Sequence, residues 1–124
     1  MELFYGCQFM LVAHSPIYLA NTAVDMRKSI DTLCLLVVDK FDQMPSDGSY
    51  YIFCNKAKDK MKVLYWDKDG FALWYKRLEK TKFKLDFGGE ETLHISADEF
   101  NWLLSGLDYR KQLIRPPQKY DILY

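Results

Sequence analysis

The sequence predicts an α+β domain: an antiparallel β-meander of about four to five strands with two helices packed on one face. Three observations carry this. Residues 50–87 alternate with a period of two and are rich in aromatic and branched side chains. Two other stretches, one on each side of that block, place their apolar residues at helical spacing. The connections between the alternating stretches are short and polar, which suits hairpins. At 124 residues, with 49% hydrophobic and 27% charged residues, the chain has the length of one domain and enough apolar side chain for a core. A disordered tail is excluded, because such chains lack the apolar surface to offset chain entropy.

Residues 10–14 read as a separate strand or a leader within an N-terminal stretch of sixteen residues. Residues 17–20 have strand character behind Pro16. A helix is expected from Asp25, with apolar positions at Met26, Ile30, Leu33, Cys34, Val37 and Phe41 forming one buried stripe. Thr22 and Asp25 stand at capping-box spacing ahead of it. Pro45, Ser46, Asp47 and Gly48 close this helix in a turn. Four strands follow, at residues 50–54, 61–66, 71–78 and 83–87, and the Gly88-Gly89 pair ends the meander. Residues 93–95 form a further short strand. Ser96 and Glu99 then make a capping box, Phe100, Leu103, Leu104 and Leu107 supply an apolar stripe, and Gly106 stops the second helix. Residues 110–124 are expected as a surface tail on a single domain.

Net charge is zero, with 17 Lys plus Arg against 17 Asp plus Glu, so a uniformly basic nucleic-acid coat protein is excluded. The cancellation is uneven. Residues 56–84 hold ten Lys plus Arg and four Asp plus Glu, a net +6, and the remainder carries −6. Six aromatics lie in the same segment: Tyr65, Trp66, Phe71, Trp74, Tyr75 and Phe83. Alternation sets Lys62, Leu64 and Trp66 on one face of a strand and Ala72, Trp74 and Lys76 on one face of the next. If those faces coincide and are open, lysines hold phosphates while bases stack on indoles, each stack worth about 1–3 kcal/mol. The plainer alternative is a half-buried sheet with aromatics inside and lysines outside. Arg77 and Lys82 extend the basic set. Arg27 and Lys28, at the expected helix start, oppose the helix dipole, a conflict that a bound phosphate or carboxylate relieves. A salt bridge from Arg27 to Asp25 or Asp31 relieves it equally.

No catalytic constellation stands out, and no cofactor or metal is expected. Asp67 and Asp69 flank a turn and offer a metal-dependent nuclease reading, but hairpin turns select Asp and Gly for backbone reasons. Ser15 beside His14 suggests a nucleophile, but no third group orients the pair; a Cys–His nucleophile pair among Cys7, Cys34, Cys54, His14 and His94 is the other nucleophile reading, since such partners meet in space and not in sequence. Cys7, Cys34 and Cys54 form no C-x-x-C pair, which argues against zinc ribbons and redox motifs and for buried thiols in a reducing compartment. No apolar stretch reaches membrane length, and the N-terminus has no basic region ahead of its apolar residues, so a cytoplasmic protein is expected.

Several blocks resemble a known family: Tyr18-Leu19-Ala20, Asp25-Met26-Arg27-Lys28, Lys62-Val63-Leu64-Tyr65-Trp66-Asp67, and the run from Gly70-Phe71-Ala72-Leu73-Trp74 to Tyr75-Lys76-Arg77-Leu78-Glu79. Together with Leu103-Leu104-Ser105-Gly106-Leu107-Asp108 they are similar to the TnpB-type accessory protein, the second reading frame (Orf2), of the bacterial insertion-sequence family numbered sixty-six. Two positions depart from its pattern. The family usually has Thr immediately before Asp-Met-Arg-Lys where this chain has Val24, and its Asp-Pro-Phe-Ser-Gly loop is here Met44-Pro45-Ser46-Asp47-Gly48. The resemblance implies a non-enzymatic accessory protein of a transposable element, assisting transposition. Its partners would be the transposase of the same element and DNA, with a second copy of the chain as a further candidate and no membrane. Arg27, Lys28, Lys62, Trp66, Trp74, Lys76, Arg77 and Lys82 are the candidate contact residues. The alternative is a protein–protein interaction or oligomerisation module that binds no DNA.

Overall fold

The computed structural model describes residues 15–88 and 92–106, and the expectations for residues 10–14, Gly89, Leu107 and residues 110–124 lie outside these. The described elements are β1 (Ile17–Ala20), α1 (Ile30–Leu36), a π-helical continuation of α1 (Val37–Phe41), β2 (Tyr50–Cys54), β3 (Lys60–Asp67), β4 (Gly70–Arg77), β5 (Thr92–Ile95) and α2 (Ala97–Leu104). The five strands form one sheet in the order β4-β3-β2-β1-β5. β2, β3 and β4 are the expected antiparallel meander, with Val63 opposite Ile52 and Trp74. β1 runs parallel to β2 and antiparallel to β5. The fold is therefore α+β with a mixed, mostly antiparallel sheet. The parallel pair follows from the connection between its strands: α1 returns the chain to the starting end, so β1–α1–β2 is a crossover unit.

The helices cover opposite faces, which corrects the expectation of one shared face. On one side, Leu33, Val37 and Phe41 of α1 pack on Ala20, Tyr51, Phe53 and Leu64. On the other, Phe100 and Leu103 of α2 pack on Ile17, Leu19, Ile52, Met61 and Val63. Strand alternation explains the split. β2 has Tyr51, Ile52, Phe53 and Cys54 all buried, a continuous apolar run that only a strand covered on both faces carries.

Residues 83–87 form no strand, contrary to expectation. Their alternation is real, with Phe83 and Leu85 buried and Lys84 and Asp86 exposed. The segment lies across the α2 face of the sheet, where Phe83 and Leu85 join the core cluster of Ile52 and Met61. Its backbone is held at one end by Phe83 N–H donating to Lys58 O (2.7 Å) and at the other by Gly88 N–H donating to Asn21 O (3.1 Å).

α1 begins at Ile30, not Asp25, and Thr22 does not cap it. The Asp25 carboxylate accepts from the backbone N–H of Arg27 (2.9 Å), and Lys28 N–H donates to Asp25 O (3.2 Å), closing a local turn that competes with helix. Ser29 is extended and serves as N-cap through its backbone, its carbonyl accepting from Leu33 N–H at 2.9 Å. Val24 is a buried plug whose N–H donates to Cys54 O (2.9 Å), so its inability to cap is immaterial to the helix. α2 matches its expectation: the Ser96 hydroxyl accepts from Glu99 N–H, the Glu99 carboxylate accepts from Ser96 N–H, and Gly106 takes a positive φ of 81° just beyond the helix.

Candidate functional site

Cross-strand register decides the fate of the interleaved Lys–Trp surface. Lys62, Leu64 and Trp66 of β3 face Tyr75, Leu73 and Phe71 of β4, on the α1 side. Ala72, Trp74 and Lys76 lie opposite Tyr65, Val63 and Met61, on the α2 side. The two triplets are thus on opposite faces and form no common platform. The reason is the two-residue hairpin loop, Lys68 and Asp69, which fixes the register and with it the face of every side chain.

The two central lysines are committed to the fold. Lys62 Nζ donates to the carbonyls of Met26 (2.7 Å) and Lys28 (3.2 Å), pinning the turn before α1 to the sheet. Its ammonium lies 6.0 Å from the Tyr75 ring centroid. Lys76 Nζ donates to Leu104 O (2.8 Å), placing a positive charge at the C-terminal end of α2, where the helix dipole favours one. Trp74 is half-buried in the core beneath α2, and Trp66 is half-buried edge-to-face against Phe71 at 5.0 Å. Tyr75, 48% exposed, is the open aromatic of β4, a residue the alternation argument did not select.

Arg27 and Lys28 sit in the turn that precedes α1, so they do not oppose its dipole from within the first helical turn. The Arg27 guanidinium grips Asp25 through Nε (3.0 and 3.1 Å) and Nη2 (2.6 Å). It holds the Asp25 carboxyl well below the usual carboxylate range. Arg27 is almost fully open to solvent, so this pair leaves its outer donors accessible.

Loops 21–28 and 55–59 follow the C-terminal ends of the parallel strands β1 and β2, the place where open sheets with crossover connections form ligand crevices. Between them lies a cleft of about 490 Å³ lined by Val24, Asp25, Arg27, Lys56 and Lys60 among others. A second, smaller hollow of about 200 Å³ lies on the other side of loop 21–28, with Leu36, Phe41 and Phe53 at its base and Lys28 and Lys40 at its rim. The 55–60 turn is rigidly built: Asn55 Oδ1 accepts from the N–H groups of Asp59 and Lys60, and Asn55 Nδ2 donates to Asp59. Asp59 is held below the usual carboxylate range by Asn55 and Lys60.

Cations gather at this end of the molecule. Lys60 pairs in register with Arg77, Leu78 N–H donates to Asp59 O, and Phe83 N–H donates to Lys58 O. The 78–84 segment therefore runs beside the 55–60 turn, bringing Lys82 and Lys84 to Lys56, Lys58 and Lys60. Arg77 binds Glu79 (2.8 Å) and Lys58 rides over the Phe87 ring at 5.3 Å. The ammonium groups of Lys56, Lys80, Lys82 and Lys84 are exposed and donate no hydrogen bond among the described residues. Sequence reasoning found Arg27, Lys28, Arg77 and Lys82 of this group and missed Lys56, Lys58, Lys60 and Lys84. The alternating Lys56-Ala57-Lys58-Asp59-Lys60 is the signal that marks the first three of these in the sequence.

The nucleophile and metal readings gain no geometry. Burial pushes the Cys54 thiol up to about 12 and raises Cys34, so both are held as neutral thiols. His94 packs its ring against Tyr18 at 5.2 Å. Among the described residues no three His, Cys, Asp or Glu side chains converge as metal ligands. Cys7 and His14 lie outside the described residues. Nor is any helix among the described residues long and apolar enough to cross a membrane.

Comparison with known proteins gives one family. The family model described as IS66 Orf2-like protein matches residues 15–113. Two relatives from Sinorhizobium fredii align over most of both chains. "Uncharacterized protein y4jC" is 32% identical over 103 residues, covering 83% of this chain and 88% of its own length. "Uncharacterized protein y4hO" is 30% identical over 94 residues, covering 76% and 82%. No solved structure matches.

Proposed function

The chain belongs to the IS66 Orf2-like family, accessory proteins of insertion sequences, and from that premise we propose a non-enzymatic factor that assists transposition by contacting DNA, the transposase of the same element, or both. It works in the cytoplasm and needs no cofactor. The observation that supports a DNA contact is the basic end of the sheet, where Arg27, Lys56 and Lys60 line the cleft between the loops after β1 and β2, and the segment that carries Lys82 and Lys84 runs beside the 55–60 turn. Exposed ammonium groups on loops, as at Lys56 and Lys82, suit phosphate contacts that position a duplex without reading its sequence, whereas Lys60 is half-buried and pairs with Asp59 at 3.4 Å. The half-buried indoles give little support to base stacking, so the backbone carries the contact.

Binding to short double- and single-stranded DNA, followed by fluorescence anisotropy at low and high salt, tests this. Affinity is expected at low salt, falling steeply as salt rises, with a logarithmic slope of about −0.9 for each phosphate neutralised on duplex DNA. Absence of binding at low salt removes the DNA arm. The second reading, a protein-interaction module without DNA binding, draws on the exposed apolar residues Leu35, Val38 and Met44 of α1, its π-helical continuation and the loop that follows.

A further inference from the structure

The helix on the α1 face has an apolar side that the sheet does not use. Residues 33–38 are six consecutive apolar residues: Leu33, Cys34, Leu35, Leu36, Val37 and Val38. A helix packed on a sheet needs one apolar stripe, and one that is apolar all round is buried on all sides. Leu33 and Val37 fill the stripe toward the sheet and are fully buried. Leu35 is 69% exposed and Val38 51% exposed, on the side away from it. Val38 stands one turn beyond the half-buried Cys34, so the open surface continues onto the flank of the helix. Met44, 66% exposed, follows in the next loop. Isolated exposed leucines need no explanation, but an outward apolar pair inside a six-residue apolar run does.

The charges around this strip select what covers it. Asp31, Asp39 and Asp42 are the exposed acidic residues of α1, its π-helical continuation and the residue that caps it. Lys40, the cation of this stretch, is turned to the hollow on the helix flank. A second copy packing helix to helix about a two-fold axis would set these carboxylates against one another, a like-charge arrangement that costs affinity. Anionic lipid is disfavoured for the same reason. A protein surface with apolar side chains fringed by Lys or Arg complements the strip in both respects.

We propose that the outer face of α1 and its π-helical continuation, centred on Leu35 and Val38 within the frame of Asp31, Asp39 and Asp42, docks a basic, apolar-centred surface of a protein partner. The choice of partner to test rests on the accessory-protein reading. The face lies on the opposite side of the sheet from α2 and carries charge opposite to the lysine-rich turn, so the chain holds a basic protein on one surface and phosphate on another.

The test titrates the full chain into the full-length transposase of the same element by calorimetry. Three forms are compared: wild type, the double variant Leu35→Ser with Val38→Ser, and the double variant Asp31→Lys with Asp39→Lys. The expected result is wild-type binding that weakens with salt and an affinity lower by about tenfold or more in each variant. The Leu35–Val38 variant should unfold within about 2 °C of wild type, since exposed substitutions are near neutral. Asp31→Lys removes an acid that suits the first turn of α1, while Asp39→Lys sets a cation nearer the end of its continuation, so the two dipole effects offset and that variant should stay within about 5 °C. Binding by the Leu35–Val38 variant within about twofold of wild type overturns the docking face and leaves the accessory reading standing. No wild-type binding overturns the face together with the transposase arm of that reading. A wild-type dimer that the Leu35–Val38 variant dissolves assigns the strip to a second copy and overturns the proposal. A fall of many degrees in the free variant shows that the chain itself covers the strip, and also overturns it.

Discussion

Leu33 and Leu35 are two residues apart on α1, and their chemistry is identical while their roles are opposite. Leu33 is fully buried against the sheet, so Leu33→Ala should cost about 2–5 kcal/mol, the transfer term plus the cavity left behind. Leu35→Ala should stay within about 0.5 kcal/mol, because the side chain already meets water. Urea denaturation of the two variants separates them directly. Cys54 gives a pH test at the same scale. Its thiol is raised from an ordinary 9.0 to about 12 by burial in the fold. Above pH 9 the unfolded chain therefore binds fewer protons than the folded one, and stability falls as pH rises toward 12. One such group contributes a slope of at most about 1.4 kcal/mol per pH unit. Urea midpoints of wild type and Cys54→Ala measured from neutral to alkaline pH should converge as pH rises, because the variant has no thiol to titrate.

At the scale of the element, α2 was legible because its signals are local. Ser96 and Glu99 satisfy each other's backbone N–H groups within one turn, and nothing distant is needed to form that box. Ser96→Ala should destabilise by about 1 kcal/mol. Lys76→Met removes the donor that Leu104 O accepts from and should cost a comparable amount, about 0.5–1.5 kcal/mol. Thermal unfolding of both variants checks this, and a fully neutral Lys76→Met would return Lys76 to the candidate DNA-binding residues. The start of α1 was not legible. Asp25 looks like a helix opener in sequence, yet its carboxylate closes a turn with Arg27 and delays the helix to Ile30. Residues 83–87 show the same limit. Their alternation marks one buried side but does not say whether the segment joins the sheet edge or crosses its face.

At the scale of the whole molecule, the charge imbalance acquires a location. Lys62 and Lys76 are engaged by carbonyls on opposite faces, and the exposed Lys56, Arg77 and Lys82 lie at or beside the 55–60 turn, while Lys68 stands at the opposite, hairpin end. Charge reversal at that turn, Lys56→Glu with Lys82→Glu, should weaken DNA binding strongly and flatten its salt dependence by roughly 0.9 for each phosphate no longer neutralised. Trp74→Ala should instead lower stability by a few kcal/mol, about 3 at most for a half-buried indole, and leave the salt slope unchanged. Anisotropy titrations beside a melting curve distinguish the two outcomes.

The sequence by itself determined the strand and helix periods, the meander from residue 50 to 77, the capping box of α2 and the family. Each of these is written in neighbouring residues or in a run of them. The tertiary structure alone decided three things. It made β1 and β2 parallel, put the helices on opposite faces, and divided the lysines and tryptophans between two sides of the sheet. All three depend on where strands lie relative to one another. A period of two shows that a strand has two faces, and only its pairing partners and the layers packed on it say which face meets the core, which a helix, and which water.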